Sequence, residues 1–216
     1  MTNVEILRHI DHSLLKADAT WEEIKAVCEE ALKYATASVC IPPCYVGCVK
    51  KAYPRLNVCT VIGFPLGYSA AEAKICEARA AMEDGADEID MVINITDVKN
   101  GLFDKVAGEI GAIREAVGGH VLKVIVETCY LTEEEKIKLC EIVTEQKADY
   151  IKTSTGFGAA GAALSDIALF KKHIGKDVKI KASGGVKTIA NLEAFIGEGC
   201  ERIGTSSAVA VLSAKA

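Results

Sequence analysis

The chain is predicted to fold as a (β/α)8 barrel, also called a TIM barrel, with a short extra helix at residues 3–8 before the first strand. Three observations lead to this fold class. Short apolar runs alternate with longer amphipathic stretches along the whole chain. Eight such strand–helix units fit within about 200 residues, the small end of this fold. The apolar runs are rich in β-branched residues and mostly lack alternating polar positions, as expected of strands covered by helices.

An open, doubly wound sheet is the alternative architecture. No G-x-G-x-x-G motif follows the first apolar run, and several strands contain polar residues that need an enclosed interior. No linker or low-complexity stretch divides the chain. The sequence therefore favours a barrel that forms one domain over residues 1–216.

The predicted elements follow from local patterns. Thr20 and Glu23 form a capping box at the start of the first long helix. Gly85, Gly118 and Gly199 are placed to end helices. The predicted strands are residues 10–12, 37–41, 58–62, 88–93, 121–126, 150–152, 178–181 and 202–204. The predicted helices are residues 21–34, 69–84, 104–117, 132–146, 165–173 and 188–197.

Composition indicates a protein that acts on small molecules. A net charge of −5 and a pI of about 5.5 argue against a nucleic-acid partner, and the basic residues form no cluster. No segment has the roughly 18 consecutive apolar residues of a membrane-spanning helix. Residues 1–5 lack the features of a signal peptide. We therefore expect a cytoplasmic protein with no membrane partner.

The nine cysteines are expected to be free thiols. Their number is odd, and most lie in apolar stretches, which is not the pattern of a disulfide framework. Cys40, Cys44 and Cys48 are spaced at four-residue intervals, but they lack the paired C-x-x-C motifs of a zinc site, and two prolines interrupt the segment. A metal site is therefore disfavoured.

In a barrel of this kind the reactive groups lie at the carboxyl ends of the strands. The predicted strand ends are far more polar than strands buried on both faces should be. The candidate residues there are Asp11, His12, Ser13, Cys40, Gly63, Asp90, Asn94, Glu127, Thr128, Lys152, Thr153, Lys181, Ser183, Gly204 and Ser206.

Lys152 and Lys181 end two consecutive, otherwise apolar strands. Side chains alternate along a strand, so if Ile151 and Ile180 face the helices, both lysines face the interior. At roughly 4–6 Å and an effective dielectric constant near 20, two ammonium groups repel by about 3–4 kcal/mol. The repulsion favours a neutral amine on one of them, which is the form that attacks a carbonyl group. The alternative is that one lysine reaches solvent or pairs with Asp90 or Glu127.

Asp90 is the third candidate catalytic residue. Alternation places it on the inner face of its strand, where a carboxylate beside two lysines can balance charge and move protons. A purely structural ion pair is the alternative. Lys123 and Glu127, on the same face of the next strand, are expected to complete the polar interior.

The loops after the last two strands predict a phosphate site. Gly184 and Gly185 follow the seventh strand, and Gly204, Ser206 and Ser207 lie at the end of the eighth. Glycine lets the backbone approach an anion closely, and loops after strands seven and eight form the recurrent phosphate site of this fold.

Five segments resemble deoxyribose-phosphate aldolases, in register from the first strand to Ser207. They are Ile-Asp-His-Ser-Leu-Leu at 10–15, Ala-Asp-Glu-Ile-Asp-Met-Val at 86–92, Leu-Lys-Val-Ile-Val-Glu-Thr at 122–128, Ala-Asp-Tyr-Ile-Lys-Thr-Ser-Thr-Gly at 148–156 and Lys-Ala-Ser-Gly-Gly-Val at 181–186. The run around Lys152 is highly specific for this family, whereas the Gly-Gly loop is shared with many phosphate-binding barrels.

The resemblance implies a class I aldolase that reversibly cleaves 2-deoxy-D-ribose 5-phosphate to D-glyceraldehyde 3-phosphate and acetaldehyde. The Schiff-base lysine of the family falls on Lys152, its activating lysine on Lys181 and its proton-shuttling aspartate on Asp90. The phosphate-binding backbone falls on Gly184, Gly185, Gly204, Ser206 and Ser207. The resemblance implies no metal and no cofactor, and a dimer or tetramer.

The chain departs from the family pattern in two places. Some relatives have a lysine where this chain has Phe157 and an arginine where it has Lys187, so backbone groups are expected to hold more of the phosphate here. Some relatives also end in a tyrosine that reaches the active site, whereas this sequence ends in Ser-Ala-Lys-Ala at 213–216. Another Schiff-base aldolase and a non-catalytic phosphate-binding barrel are the alternative functions.

Overall fold

A computed structural model describes residues 1–213 and shows a closed barrel of eight parallel strands in sequential order. The predicted barrel is therefore confirmed. The strands are β1 (Ile10–Ser13), β2 (Ser38–Ile41), β3 (Val58–Ile62), β4 (Glu88–Val92), β5 (Val121–Ile125), β6 (Tyr150–Lys152), β7 (Lys179–Ser183) and β8 (Arg202–Thr205).

Helices surround the barrel, and the extra helix before the first strand is present. The helices are α1 (Asn3–Leu7), α2 (Trp21–Tyr34), α3 (Val46–Ala52), α4 (Ala71–Glu83), α5 (Ile95–Lys99), α6 (Phe103–Val117), α7 (Glu133–Glu145), α8 (Leu164–His173), α9 (Ile189–Glu198) and α10 (Ala208–Ser213). The six long helices predicted from the sequence match α2, α4, α6, α7, α8 and α9 to within two residues at each end.

Three short helices, α3, α5 and α10, escaped the sequence analysis. In the first case Pro42 and Pro43 suggested an interruption. The structure instead places Pro43 in the first turn of a short 3-10 helix that leads directly into α3. Proline is tolerated in that position because an amide there has no partner within the helix.

Local signals define the ends of the long helices as predicted. The hydroxyl of Thr20 accepts a hydrogen bond from the backbone amide of Glu23, whose side chain bonds back to Thr20. Gly85, Gly118 and Gly199 have positive φ angles at the ends of α4, α6 and α9. These conformations cost glycine little, so each helix stops there and the chain turns towards the next strand.

Side-chain alternation separates an apolar layer from a polar interior. Ile89, Met91, Ile151 and Ile180 pack in the main hydrophobic core between strands and helices. The residues between them point into the barrel. In the sheet register, Lys152 pairs with Lys181. The inward orientation predicted for both lysines is confirmed.

The nine cysteines are free, and five of them are buried. Cys44 and Cys48 are exposed, whereas Cys40 lies inside the barrel wall. Among residues 1–213, no helix is long and apolar enough to cross a membrane. The cytoplasmic location stays a prediction.

Outside the barrel, a buried ion pair joins two helices to the end of a strand. The Nζ of Lys74 on α4 lies 2.8 Å from Oε1 of Glu109 on α6 and donates to the carbonyl of Val92 at 2.8 Å. Burial lowers the pKa of Lys74 and raises that of Glu109, and in each case it outweighs the attraction of the partner. The pair fixes the end of β4, although removing both charged groups from water is unfavourable.

Lys74→Met should lower the free energy of unfolding by about 3 kcal/mol, because Glu109 would remain buried without its partner. Urea unfolding followed by circular dichroism measures this change. Lys138→Met is the matched control, because Lys138 pairs with Glu141 at the exposed surface. Equal midpoints for the two variants would contradict the prediction.

Candidate active site

Three ammonium groups surround one carboxylate inside the barrel. The Nζ atoms of Lys152 and Lys181 lie 2.7 Å and 2.6 Å from the same oxygen, Oδ2 of Asp90. The Nζ of Lys123 lies 2.8 Å from the other oxygen, Oδ1. The structure therefore brings together the three residues proposed as catalytic from the sequence, and adds Lys123 as a direct partner of Asp90.

A second set of charges lies against these groups. Asp11 on β1 lies 2.5 Å from the Nζ of Lys181 and 2.5 Å from the guanidinium group of Arg202 on β8. Glu88 on β4 pairs with Lys123 at 2.6 Å and with Arg202 at 3.0 Å. Arg202 was not predicted from the sequence, because it begins its strand, away from the expected reactive end.

The interior charges form one connected network with an excess of positive charge. Its cations are Lys123, Lys152, Lys181 and Arg202, and its anions are Asp11, Glu88 and Asp90. With every group ionised, the four cations and three anions leave the network with one net positive charge. Loss of one proton from one lysine would make it neutral.

The carboxylates raise the pKa of two of the buried lysines. Burial lowers the pKa of Lys181, but the attraction of Asp11 and Asp90 outweighs it and raises that pKa above the usual value. The same balance raises the pKa of Lys123. Burial raises the pKa of Asp90, but the three lysines outweigh it and hold that pKa well below the usual value. The charge balance predicted for Asp90 is thus present, whereas the pairing of Asp11 with Lys181 was not predicted from the sequence.

Lys152 differs from the other two lysines in its access to the outside. It lines a cavity of about 340 Å³ at the carboxyl ends of β6, β7, β8 and β1. Lys123 and Lys181 are fully buried. A molecule that enters the cavity can therefore contact Lys152, while its charged neighbours remain behind it in the barrel.

The glycine-rich loops form the wall of this cavity. Gly184 and Gly185 line it with φ angles of +79° and +77°, together with Gly204, Ser206 and Ser207. A Cβ atom on Gly184 would lie 3.0 Å from the Cα of Gly161. The absence of a side chain thus allows two loops to touch. Within the described residues 1–213, the amides of Gly184, Gly185 and Ser206 donate no hydrogen bond to the protein.

Gly204 and Ser207 have structural tasks that the sequence did not reveal. A Cβ atom on Gly204 would lie 3.2 Å from the Cε of Lys181, so the glycine leaves room for that side chain. The amide of Ser207 donates to Thr205, and its hydroxyl donates to the carbonyl of Val186. Ser207 therefore fastens the two loops to each other.

Two exposed lysines place positive charge on the same wall. Lys16, in the loop after β1, and Lys187, after the Gly-Gly pair, both line the cavity. Phe157 lines it as well and packs edge-on against Phe64, with ring centroids 5.3 Å apart. Lys16 was not among the residues predicted to bind phosphate. The departure expected at the C-terminus concerns residues 214–216, which lie outside the described residues.

Glu127 is buried, as expected of the polar interior, but it lies beyond the end of β5. β5 ends at Ile125, and Glu127 has a φ angle of +55°, so its side chain leaves the alternation of the strand. Both carboxylate oxygens accept the backbone amide of Thr155 at 3.2 Å. Burial raises the pKa of Glu127, and these hydrogen bonds only partly offset it. Glu127 anchors the loop that follows Lys152.

The interior also contains two groups of side chains of the types that bind metals. They are Cys40, Cys59 and Asp90, and Asp11, Cys59 and Glu88. Their carboxylates are already paired with lysine and arginine, and the surrounding positive charge would repel a cation. This donor set does not fit a metal centre.

Comparison with known proteins identifies close relatives. The sequence model of the family described as DeoC/LacD family aldolase matches residues 6–202. A deoxyribose-phosphate aldolase of Clostridium botulinum (strain Alaska E43 / Type E3) is 62% identical over 213 residues, which cover 98% of this chain and 96% of that protein.

Solved structures of aldolases resemble this chain over nearly its whole length. The aldolase QR15 superimposes with a TM-score of 0.94 at 37% identity and covers 98% of this chain and 96% of its own. The deoxyribose phosphate aldolase of Aeropyrum pernix, described as a unique tetrameric structure, has a TM-score of 0.89 at 28% identity. The match covers 99% of this chain and 92% of the Aeropyrum chain. The family match and the full-length identity show that the chain belongs to the DeoC/LacD family of aldolases.

Proposed function

We propose that the protein cleaves 2-deoxy-D-ribose 5-phosphate reversibly to D-glyceraldehyde 3-phosphate and acetaldehyde through a Schiff base on Lys152. One observation carries this proposal. Lys152 lines the cavity and shares a carboxylate oxygen with Lys181, whose raised pKa keeps it charged. The names of the relatives support the choice of substrate.

The excess charge of the interior network explains how Lys152 becomes a nucleophile. Removal of a proton from Lys152 neutralises the network and ends the repulsion between two ammonium groups on the same oxygen of Asp90. Lys181 and Lys123 retain their protons because the carboxylates hold them. The neutral amine is then the member of the set that faces the cavity and can attack a carbonyl carbon.

The reaction follows from this arrangement. The amine of Lys152 adds to the C1 aldehyde of the open-chain sugar, and loss of water gives a protonated imine. The C3 hydroxyl then loses its proton, the C2–C3 bond breaks, and its electron pair moves to the imine nitrogen as an enamine. Glyceraldehyde 3-phosphate leaves, C2 takes up a proton, and hydrolysis of the imine releases acetaldehyde. The imine is the electron sink, so this route needs no metal or cofactor.

Asp90 serves as the carboxylate through which protons reach and leave Lys152. Its oxygen Oδ2 accepts from both Lys152 and Lys181. Its pKa lies far below the usual value, so we assign it a transient role in passing a proton rather than a stored proton.

The phosphate group is assigned to the loops after β7 and β8. The free amides of Gly184, Gly185 and Ser206 can donate to its oxygens, and Gly204 and Ser207 shape the loops. Lys16 and Lys187 add positive charge at the same wall. Backbone amides together with exposed lysines suit a phosphorylated sugar.

A coupled assay tests the activity. With 2-deoxyribose 5-phosphate, glyceraldehyde 3-phosphate should form in the presence of EDTA, since the route uses no metal. Ribose 5-phosphate is the matched control substrate and differs by one hydroxyl group at C2. Absence of cleavage with the deoxy sugar, or complete loss of cleavage in EDTA, would overturn the proposal.

Borohydride trapping tests the covalent step. Incubation with acetaldehyde followed by reduction should leave a stable adduct on Lys152, located by mass spectrometry of peptides. Lys152→Leu should abolish the adduct. Lys181→Leu should slow its formation by about 100-fold, in the range typical of a lost electrostatic contribution. An adduct that forms unchanged in Lys152→Leu excludes this nucleophile, and no adduct in the unaltered protein also excludes the alternative Schiff-base aldolase.

We also propose that the protein forms a homo-oligomer, a dimer or a tetramer. The relative from Aeropyrum pernix, described as tetrameric, supports this assembly. Light scattering coupled to size-exclusion chromatography should give a mass at least twice the 23.0 kDa of one chain. A mass of one chain at micromolar concentration would rule out a stable assembly.

A further inference from the structure

Glu127 holds a strained backbone conformation next to the active-site cavity. Its φ angle of +55° lies in the left-handed region, which residues with a β-carbon seldom adopt. Its side chain is almost completely buried. Such strain persists where surrounding contacts enforce it, and it is concentrated at functional sites. The contacts of Glu127 therefore indicate its purpose.

Those contacts converge on Thr155, three residues after Lys152. The backbone amide of Thr155 donates to both carboxylate oxygens of Glu127, and the hydroxyl of Thr155 donates to Oε2. The backbone amide of Phe157 in turn donates to the Thr155 hydroxyl oxygen at 3.0 Å. Thr155 itself lines the cavity with Lys152 and Gly184.

These bonds fix the direction in which the Thr155 hydroxyl donates its proton. A hydroxyl group has one proton to donate and two lone pairs that accept. Glu127 takes the proton, and the amide of Phe157 takes one lone pair. One lone pair remains for a bound molecule. As long as Glu127 is an acceptor, Thr155 can accept a hydrogen bond in the cavity but cannot donate one.

We propose that Glu127 is a positioning residue that makes Thr155 a hydrogen-bond acceptor for the hydroxyl group of the acceptor aldehyde. This inference rests on the proposed function and goes beyond it, because it names the group that selects a hydroxylated substrate. Thr155 lines the same cavity as Lys152 and Gly184, the residues to which the imine carbon and the phosphate of the sugar are assigned, so the rest of the bound sugar shares the cavity with Thr155.

Glu127→Met is the decisive variant, because it keeps the length of the side chain and removes both acceptor oxygens. The Thr155 hydroxyl then has no acceptor at this position, so its proton is free to point into the cavity where a substrate hydroxyl was accepted. Glu127→Gln is the matched control, because its amide oxygen in the place of Oε2 can accept from both the amide and the hydroxyl of Thr155.

The assay compares two acceptor aldehydes in the synthetic direction, with acetaldehyde as the donor. D-Glyceraldehyde 3-phosphate carries the hydroxyl group, and 3-oxopropyl phosphate lacks it. We expect the unaltered protein to prefer the hydroxylated acceptor in kcat/KM, and Glu127→Met to lose about 10- to 100-fold of that preference, the effect of one unpaired hydrogen-bonding group. Glu127→Gln should keep the preference. The rate with 3-oxopropyl phosphate should change much less.

Two threonine variants complete the design. Thr155→Ser keeps the hydroxyl group and should keep the preference, whereas Thr155→Val removes the hydroxyl and should lose it. An equal fall in kcat/KM for both acceptors in Glu127→Met would show a purely structural role and overturn the inference. An unchanged preference in Glu127→Met, or an equal loss of preference in Glu127→Gln, would overturn it as well.

Failure of this inference can be told apart from failure of the proposed function. Trapping of acetaldehyde on Lys152 in the unaltered protein involves no acceptor hydroxyl, so it tests the proposed function alone. If the unaltered protein forms no adduct, the proposed function fails and the inference fails with it. If adducts form normally and the preference does not move, the inference alone fails. Circular dichroism of each variant confirms that it is folded.

Discussion

The rest of the candidate active site depends on the carboxylate of Asp90, which is completely buried and contacts three ammonium groups. A carboxylate in this position would be costly to bury alone, and so would each of the lysines. Together they form a network in which Asp11, Glu88 and Arg202 complete the pairing. The barrel contributes the enclosure, since its wall brings charges from six strands within contact of one another.

Compensation within this network is incomplete by one charge, and the position of the cavity determines where the imbalance matters. Lys123 and Lys181 lie below the cavity and are held by carboxylates, whereas Lys152 lies at its floor. Of the three lysines, Lys152 is thus the one that a molecule in the cavity can reach. Lys152 and Lys181 also differ in their acidic partners, because within residues 1–213 Lys152 contacts Asp90 alone, whereas Lys181 contacts both Asp90 and Asp11.

The loops around the cavity show a second kind of constraint, which is the close packing of backbone on backbone. Gly184 touches Gly161, and Gly204 leaves space for Lys181, so glycine acts here through its lack of a side chain. Glu127 acts in the opposite sense, because a residue with an unfavourable backbone conformation is held in place by its hydrogen bonds to Thr155. Outside the barrel, the buried pair of Lys74 and Glu109 fixes the end of β4, the strand that carries Asp90.

The sequence by itself determined the order of strands and long helices, because hydrophobic periodicity, capping boxes and terminal glycines are local signals. It also determined that Lys152, Lys181 and Asp90 face inward, since alternation along a strand is a local rule. Only the tertiary structure decided which lysine borders the cavity, that Arg202 and Asp11 join the network, and that Glu127 turns towards Thr155. These relations join residues that lie up to 191 positions apart in the chain, as Asp11 and Arg202 do. Closure of the barrel creates them, and no local pattern encodes the depth of a side chain or the partner it meets there.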